Sequence, residues 1–209
     1  MIRLKPTDNI IISGHKHTGK STLAMYFTSM FPRYVVYDRL RYFRDHGFEN
    51  VYVPNTPTVE EFDGFIGAML TLGNMMIVVD EGQEVMPEKR LLSPNAYQAV
   101  MYGRHDPYNI GLIITTKRPA LLNKSVLGEA DYYIVFRHMI SGDIDSIGEI
   151  VGKDNAEKVR ILQDHIFMVY DNSGGPNTGK FTGPHMININ EVWMKNYESK
   201  GKVGYGNVM

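Results

Sequence analysis

The chain has no cysteine. That removes disulfides, zinc knuckles and thiol nucleophiles together, so neither a stapled scaffold nor cysteine chemistry is available. It also lacks a net charge of either sign: the formal balance is -1 at pH 7. No global basic field exists to hold a polyanion, and any contact with nucleic acid must be local. Long apolar runs are missing too. The opening residues Met1-Ile2-Arg3-Leu4-Lys5-Pro6 have no signal-peptide core, and nothing later approaches bilayer length, so direct membrane insertion is not expected and a soluble intracellular protein is. No internal repeat occurs. The 209 residues, 43% apolar and 22% charged, suit one globular domain, expected over residues 1–195 with its core at 9–170. Residues 196–209, glycine-bearing and poor in large apolar side chains, read as a loose tail.

What is present is a strong local motif. Gly14-His15-Lys16-His17-Thr18-Gly19-Lys20-Ser21 matches G-x-x-x-x-G-K-S and follows the apolar run Asn9-Ile10-Ile11-Ile12-Ser13. Glycines let backbone N–H groups curl around phosphates, the lysine reaches the terminal phosphates, and the serine hydroxyl ligates magnesium. Residues 21–31 carry Leu23, Tyr26, Phe27 and Met30 at helical spacing, which aims a helix N-terminus at the anion. The expected nucleotide contacts are Gly14, His15, Lys16, His17, Thr18, Gly19, Lys20, Ser21 and Thr22, with His15 and His17 as polar lining rather than a metal pair. A nucleoside triphosphate, ATP, with Mg2+ is the implied ligand.

Apolar segments at 33–37, 51–53, 75–79, 110–116, 132–136 and 165–170 read as further strands, the last as the final core strand. Helical patterns lie between them at 58–72, where Thr58-Val59-Glu60-Glu61 has capping-box form, and at 95–102, 123–129, 143–151 and 154–162. Residues 171–183, rich in glycine, read as a loop or hairpin tip. The alternation predicts an α/β fold: a mostly parallel central sheet with helices on both faces and its ligand at the carboxyl ends of the strands.

Three segments then converge. Asp80 ends an apolar strand, where a buried carboxylate needs compensation, and magnesium held opposite Ser21 supplies it. Glu81 follows and can orient and deprotonate an attacking water, which points to hydrolysis. The alternative is a turn-capping Asp80 beside a solvated Glu81. Thr115 and Thr116 end the next strand and can sense the γ-phosphate or position water, although threonine also simply favours strands. Arg104, Arg118 and Arg137 are candidates for a cation acting on the transferring phosphoryl group, Arg104 first and Arg118 second, supplied by a neighbouring subunit. Lys89, Arg90, Lys117, Arg118 and Lys124 are the basic residues that could face DNA.

The order of these parts, phosphate loop, Ile77-Val78-Val79-Asp80-Glu81, Gly103-Arg104-His105, then Ile110 through Thr116 and Lys117-Arg118-Pro119, resembles the HerA/FtsK superfamily of DNA-translocating ATPases. Within it the chain is most similar to genome-packaging ATPases of membrane-containing icosahedral double-stranded DNA viruses. The resemblance implies a P-loop NTPase core of RecA/HerA type, an ATPase acting as a pentameric or hexameric ring on double-stranded DNA, and capsid or portal-vertex partners. It places the protein in the host cytoplasm or at a packaging vertex of the virion. Asp80 and Ser21 correspond to the metal residues, Lys20 to the phosphate lysine and Glu81 to the catalytic glutamate. Many relatives carry glutamine where this chain has Lys117, which moves the sensing role toward Thr115 or Thr116. Two other readings remain: a nucleotide or small-molecule kinase, with the loop 172–179 as lid, and a nucleotide-gated assembly or scaffold protein.

Overall fold

The structure, a computed structural model, describes residues 4–186; the expected tail at 196–209 lies outside them. In chain order the strands are β1 Asn9–Ser13, β2 Tyr34–Tyr37, β3 Val51–Tyr52, β4 Met75–Val79, β5 Ile110–Thr116, β6 Tyr132–Phe136, β7 Ile166–Asp171 and β8 Phe181–Met186. The helices are α1 Lys20–Thr28, α2 Tyr42–Asp45, α3 Val59–Leu72, α4 Pro94–Tyr102, α5 Lys124–Gly128, α6 Ser141–Val151 and α7 Lys153–Val159. All strands join one sheet in the order β3-β2-β4-β5-β1-β6-β7-β8. Pairings from β3 through β6 are parallel, while β7 and β8 are antiparallel.

The central strands β1, β4, β5 and β6 are buried along their whole length, because both faces of the sheet are covered and every side chain meets apolar neighbours. Alternation decides which face each residue serves. Ile10 and Ile12 pack with Leu23, Met25 and Phe27 of α1 and Phe43 of α2. Ile11, between them, faces the layer holding Phe62 and Ile66 of α3, Ala96 and Val100 of α4, and Ile144 and Ile147 of α6. Helices therefore lie on both faces, as the alternation predicts.

Helix boundaries follow local chemistry. The Thr58 hydroxyl accepts from the Glu61 N–H at 3.1 Å and caps α3. The reciprocal half of the capping box is replaced: Glu61 turns its carboxylate to the Tyr52 hydroxyl and to the N–H groups of Asn55 and Thr56, tying β3 to α3. Asn123 caps α5 through the Ser125 N–H, and Pro94 opens α4, where its missing N–H is no loss.

One expectation needs correction: the loop read at 171–183 ends earlier, because Phe181–Met186 is a strand. The strand expected to end the core, β7, runs antiparallel and is followed by β8, which pairs with it. Phe181–Met186 contains Gly183 and Pro184, poor residues for a central strand, and is tolerated because β8 is the outermost strand here. The turn between them, 172–180, is a hairpin tip, as its glycines suggest.

Candidate active site

β5 lies between β1 and β4, so its end separates the phosphate loop from Asp80-Glu81. The loop is fastened on both sides. The Gly14 N–H donates to the Thr116 carbonyl at 3.1 Å and the His15 N–H to the Arg137 carbonyl at 3.0 Å. Within it, the Thr18 hydroxyl donates to the His15 carbonyl at 2.8 Å. Left-handed backbone at His17 (φ 64) and Gly19 (φ 100) turns the chain into α1. Among the described residues nothing accepts from the N–H groups of Gly19, Lys20, Ser21 and Thr22. These first-turn donors, with the helix dipole behind them, make an anion cradle. Gly14 and Thr18 are buried while His15, Lys16 and His17 are exposed.

Lys20 and Glu81 meet in this cradle. Nζ of Lys20 is 3.2 Å from Oε1 of Glu81, with both side chains at most one-tenth exposed. Glu81 adopts left-handed backbone, φ 55 and ψ 53, uncommon for a residue with a Cβ and the sort of local strain found at functional sites. The Thr115 hydroxyl fixes that turn: it accepts the Glu81 N–H at 3.0 Å and donates to Oδ1 of Asp80 at 2.7 Å. Thr115 thus acts on the two carboxylate residues. Thr116 instead donates to the Gln83 side chain at 2.7 Å and accepts the Arg118 N–H at 3.1 Å.

Burial pushes Asp80 up to about 6, against the Thr115 hydrogen bond, with Glu81 and Asp38 adding to the rise and Lys20 opposing it. Burial also pushes Glu81 up, but Lys20, the Gln83 hydrogen bond and Lys117 outweigh it, and its carboxyl lies below the usual range. Glu81 is ionised at neutral pH. Oδ2 of Asp80 receives no hydrogen bond from the described residues, and no group of three or more His, Cys, Asp or Glu among them could hold a metal unaided. Such a donor set fits Mg2+, which commonly takes one or two carboxylates and completes its shell with water and substrate phosphates. Asp80 and the Ser21 hydroxyl are the residues that would hold it.

Lys117 is drawn inward, 3.6 Å from Oε2 of Glu81 and 3.7 Å from Oε1 of Glu84. Arg118 donates through Nε to the buried Asp143 at 2.9 Å, and Arg137 pairs with Asp164 at 2.8 Å. Arg104 lies elsewhere. Its Nη1 donates to Asp131 at 3.0 Å and its Nη2 to the Glu129 carbonyl at 3.3 Å. Asp131 precedes β6, whereas Arg137, bonded to the phosphate loop, follows it. At about 3.3 Å per residue Asp131 and Arg137 are some 20 Å apart along the chain, so Arg104 is outside its own chain's nucleotide site. The loop 172–180 shares that far edge, through the Asn172 N–H on the Asp131 carbonyl at 2.7 Å, and so cannot cover the phosphate loop as a kinase lid. Lys89 and Arg90 approach the Leu121–Asn123 segment, where Asn123 donates to the Arg90 carbonyl at 2.7 Å. Lys124 is engaged by Glu149.

Three residues go beyond the sequence reading. Gln83 donates to Oε2 of Glu81 at 2.7 Å, and its position two residues on was the signal for it. Asp143 is invisible without the fold. His138, 1% exposed with no partner at Nε2, is lowered to about 3 by burial and by the charges of His15, Lys20 and Arg118.

No protein-family model matches the sequence, and no curated protein sequence does. Solved structures do match. The genome packaging NTPase B204 from Sulfolobus turreted icosahedral virus 2, in complex with AMPPCP, superposes with a TM-score of 0.71 at 23% identity, covering 88% of this chain and 100% of that one. B204 from Sulfolobus turreted icosahedral virus, a DNA-packaging ATPase, gives 0.71 at 24%, covering 87% and 100%. The pCW3 conjugation coupling protein TcpA, with ATPgS, gives 0.61 at 13%, covering 95% and 66%. In fold, this chain is similar to these nucleotide-binding ATPases: an α/β domain built on one mostly parallel sheet.

Proposed function

We propose that the chain hydrolyses ATP and, as a subunit of a ring, uses the cycle to drive double-stranded DNA during viral genome packaging. The observation carrying the hydrolytic part is Glu81, held 3.2 Å from Lys20 at the mouth of the phosphate cradle. A triphosphate entering there takes Lys20 onto its terminal phosphates, and Oε1 of Glu81 is released facing them. A water between the two loses its proton to that oxygen as it attacks the γ-phosphorus, and the bond to the β,γ-bridging oxygen breaks to release ADP and inorganic phosphate. Magnesium, when bound by Ser21 and Asp80, supplies neutralisation and alignment of the phosphate oxygens. An acceptor hydroxyl in place of water would need a closed site, and the far position of the 172–180 loop disfavours the kinase.

The packaging role draws support from the B204 structures, which are of genome packaging NTPases. Ring action draws support from Arg104: where it lies, a nucleotide can reach it only from another subunit. Arg118 is the second choice for that role, provided it leaves Asp143. The loops carrying Lys89, Arg90 and Lys117 border one another and would contribute a local basic strip to a DNA channel. Capsid or portal proteins at the packaging vertex would be further partners.

Glu81→Gln should keep ATP binding while hydrolysis falls by about 100-fold or more, measured by nucleotide titration and phosphate release. Unimpaired turnover would remove Glu81 from its role.

A further inference from the structure

Oε2 of Glu81 is not aimed at the phosphate cradle. It is gripped from behind by Nε2 of Gln83 at 2.7 Å, while Oε1 faces Lys20. Gln83 is itself fixed, since its Oε1 accepts the Thr116 hydroxyl at 2.7 Å. The ionised Glu81 carboxylate can only accept, and this sets which way round the amide sits: nitrogen toward Glu81, oxygen toward Thr116. Thr116 in turn has only one proton to give, and its oxygen accepts the Arg118 N–H at 3.1 Å. The relay Arg118 N–H to Thr116 to Gln83 to Glu81 is therefore directional, each member donating to the next. Gln83 is 6% exposed and Thr116 is fully buried, so water does not readily replace either.

Lys20 cannot keep Glu81 in place during turnover, because the phosphates claim it. Lys117 holds the same oxygen as Gln83 but at 3.6 Å, from a side chain about one-third exposed. Gln83 alone combines short distance, burial and a fixed amide. We propose that Gln83, oriented by Thr116, is a positioning residue that holds Oε2 of Glu81 so that Oε1 stays directed at the attacking water after Lys20 has moved to the nucleotide. This rests on the reading of Glu81 as the base for hydrolysis.

The test is steady-state ATPase kinetics with nucleotide binding measured separately. Gln83→Ala, and Gln83→Met to fill the space without an amide, should lower kcat by about 10- to 100-fold, as misplacement of a reacting group does, with nucleotide Kd within about twofold. Thr116→Val should show the same split, and Thr116→Ser, which keeps the hydroxyl, should restore most of kcat. The double variant Gln83→Met/Thr116→Val should be no slower than the worse single one, because both break one relay. An unchanged or raised kcat in both Gln83 variants overturns the proposal, as does a loss of nucleotide binding that matches the loss of kcat. If Glu81→Gln is inactive while both Gln83 variants are fully active, only the positioning role fails. If Glu81→Gln is active, the base assignment beneath it fails.

Discussion

A methyl group at Gly14 would sit 2.5 Å from Oγ1 of Thr18 and 2.7 Å from Cβ of Phe136. Neither neighbour can yield easily. Thr18 is bonded across the loop to the His15 carbonyl, and Phe136 is a fully buried residue of β6. Gly14 is thus required by packing, not by its backbone angles. Gly14→Ala should destabilise the fold by about 1–3 kcal/mol, the usual result of overpacking. Because the strain falls on the cradle, ATP affinity should drop by about tenfold or more. Isothermal titration beside thermal unfolding separates the two effects, and wild-type affinity in Gly14→Ala would show that the loop shifts freely. At the same scale, Glu81 belongs to the site through its backbone as much as its carboxylate: left-handed geometry, secured by Thr115, turns the side chain toward Lys20.

Among the elements, α3 offers the simplest check, since its cap lies away from the phosphate loop. Thr58→Ala removes the bond to the Glu61 N–H and should lower the unfolding free energy by about 1 kcal/mol. ATP affinity should not move; a coupled loss would mean that α3 reports to the site. The strands of the core were readable because burial on both faces writes itself as runs such as Met75-Met76-Ile77-Val78-Val79. β8 was not, since a strand paired on one side only among the described residues needs no such run and accommodates Pro184. The phosphate loop and Asp80-Glu81 were legible because each is one contiguous segment with its own chemistry. Pairings such as Arg118 with Asp143, 25 residues apart, or Arg104 with Asp131, depend on which strand ends share an edge, and periodicity does not encode strand order. For the same reason the sequence permits a lid at 172–179, whereas the antiparallel run of β7 carries that loop to the far edge of the sheet.

For the whole molecule, the pH dependence of stability is a contest of opposite signs. His138 falls from 6.5 to about 3 on folding. Between those values the unfolded chain binds a proton the folded chain refuses, so this contribution is complete above pH 6.5 and is lost as pH drops. Asp8 and Asp80, each raised from 3.8 to about 6 chiefly by burial, act the other way: their cost is full above pH 6 and is relieved toward pH 4. His138→Gln deletes one side of the contest. On going from pH 7.5 to pH 5 the change in stability should be more favourable than in the parent chain by about 2 kcal/mol, at about 1.4 kcal/mol per pH unit below 6.5. Urea unfolding at the two pH values measures it, and an unaltered pH dependence would sink the assignment. The ends of the sheet have a consequence for assembly as well. On one side β3 spans only Val51–Tyr52; on the other, β8 carries a proline that has no N–H to offer. Among the described residues, the sheet edges thus offer little template for zipping strand onto strand into an endless ribbon. In the ring proposed above, association would instead use loops and helix faces, where contacts can be made and broken once per turnover without unravelling a hydrogen-bonded ladder.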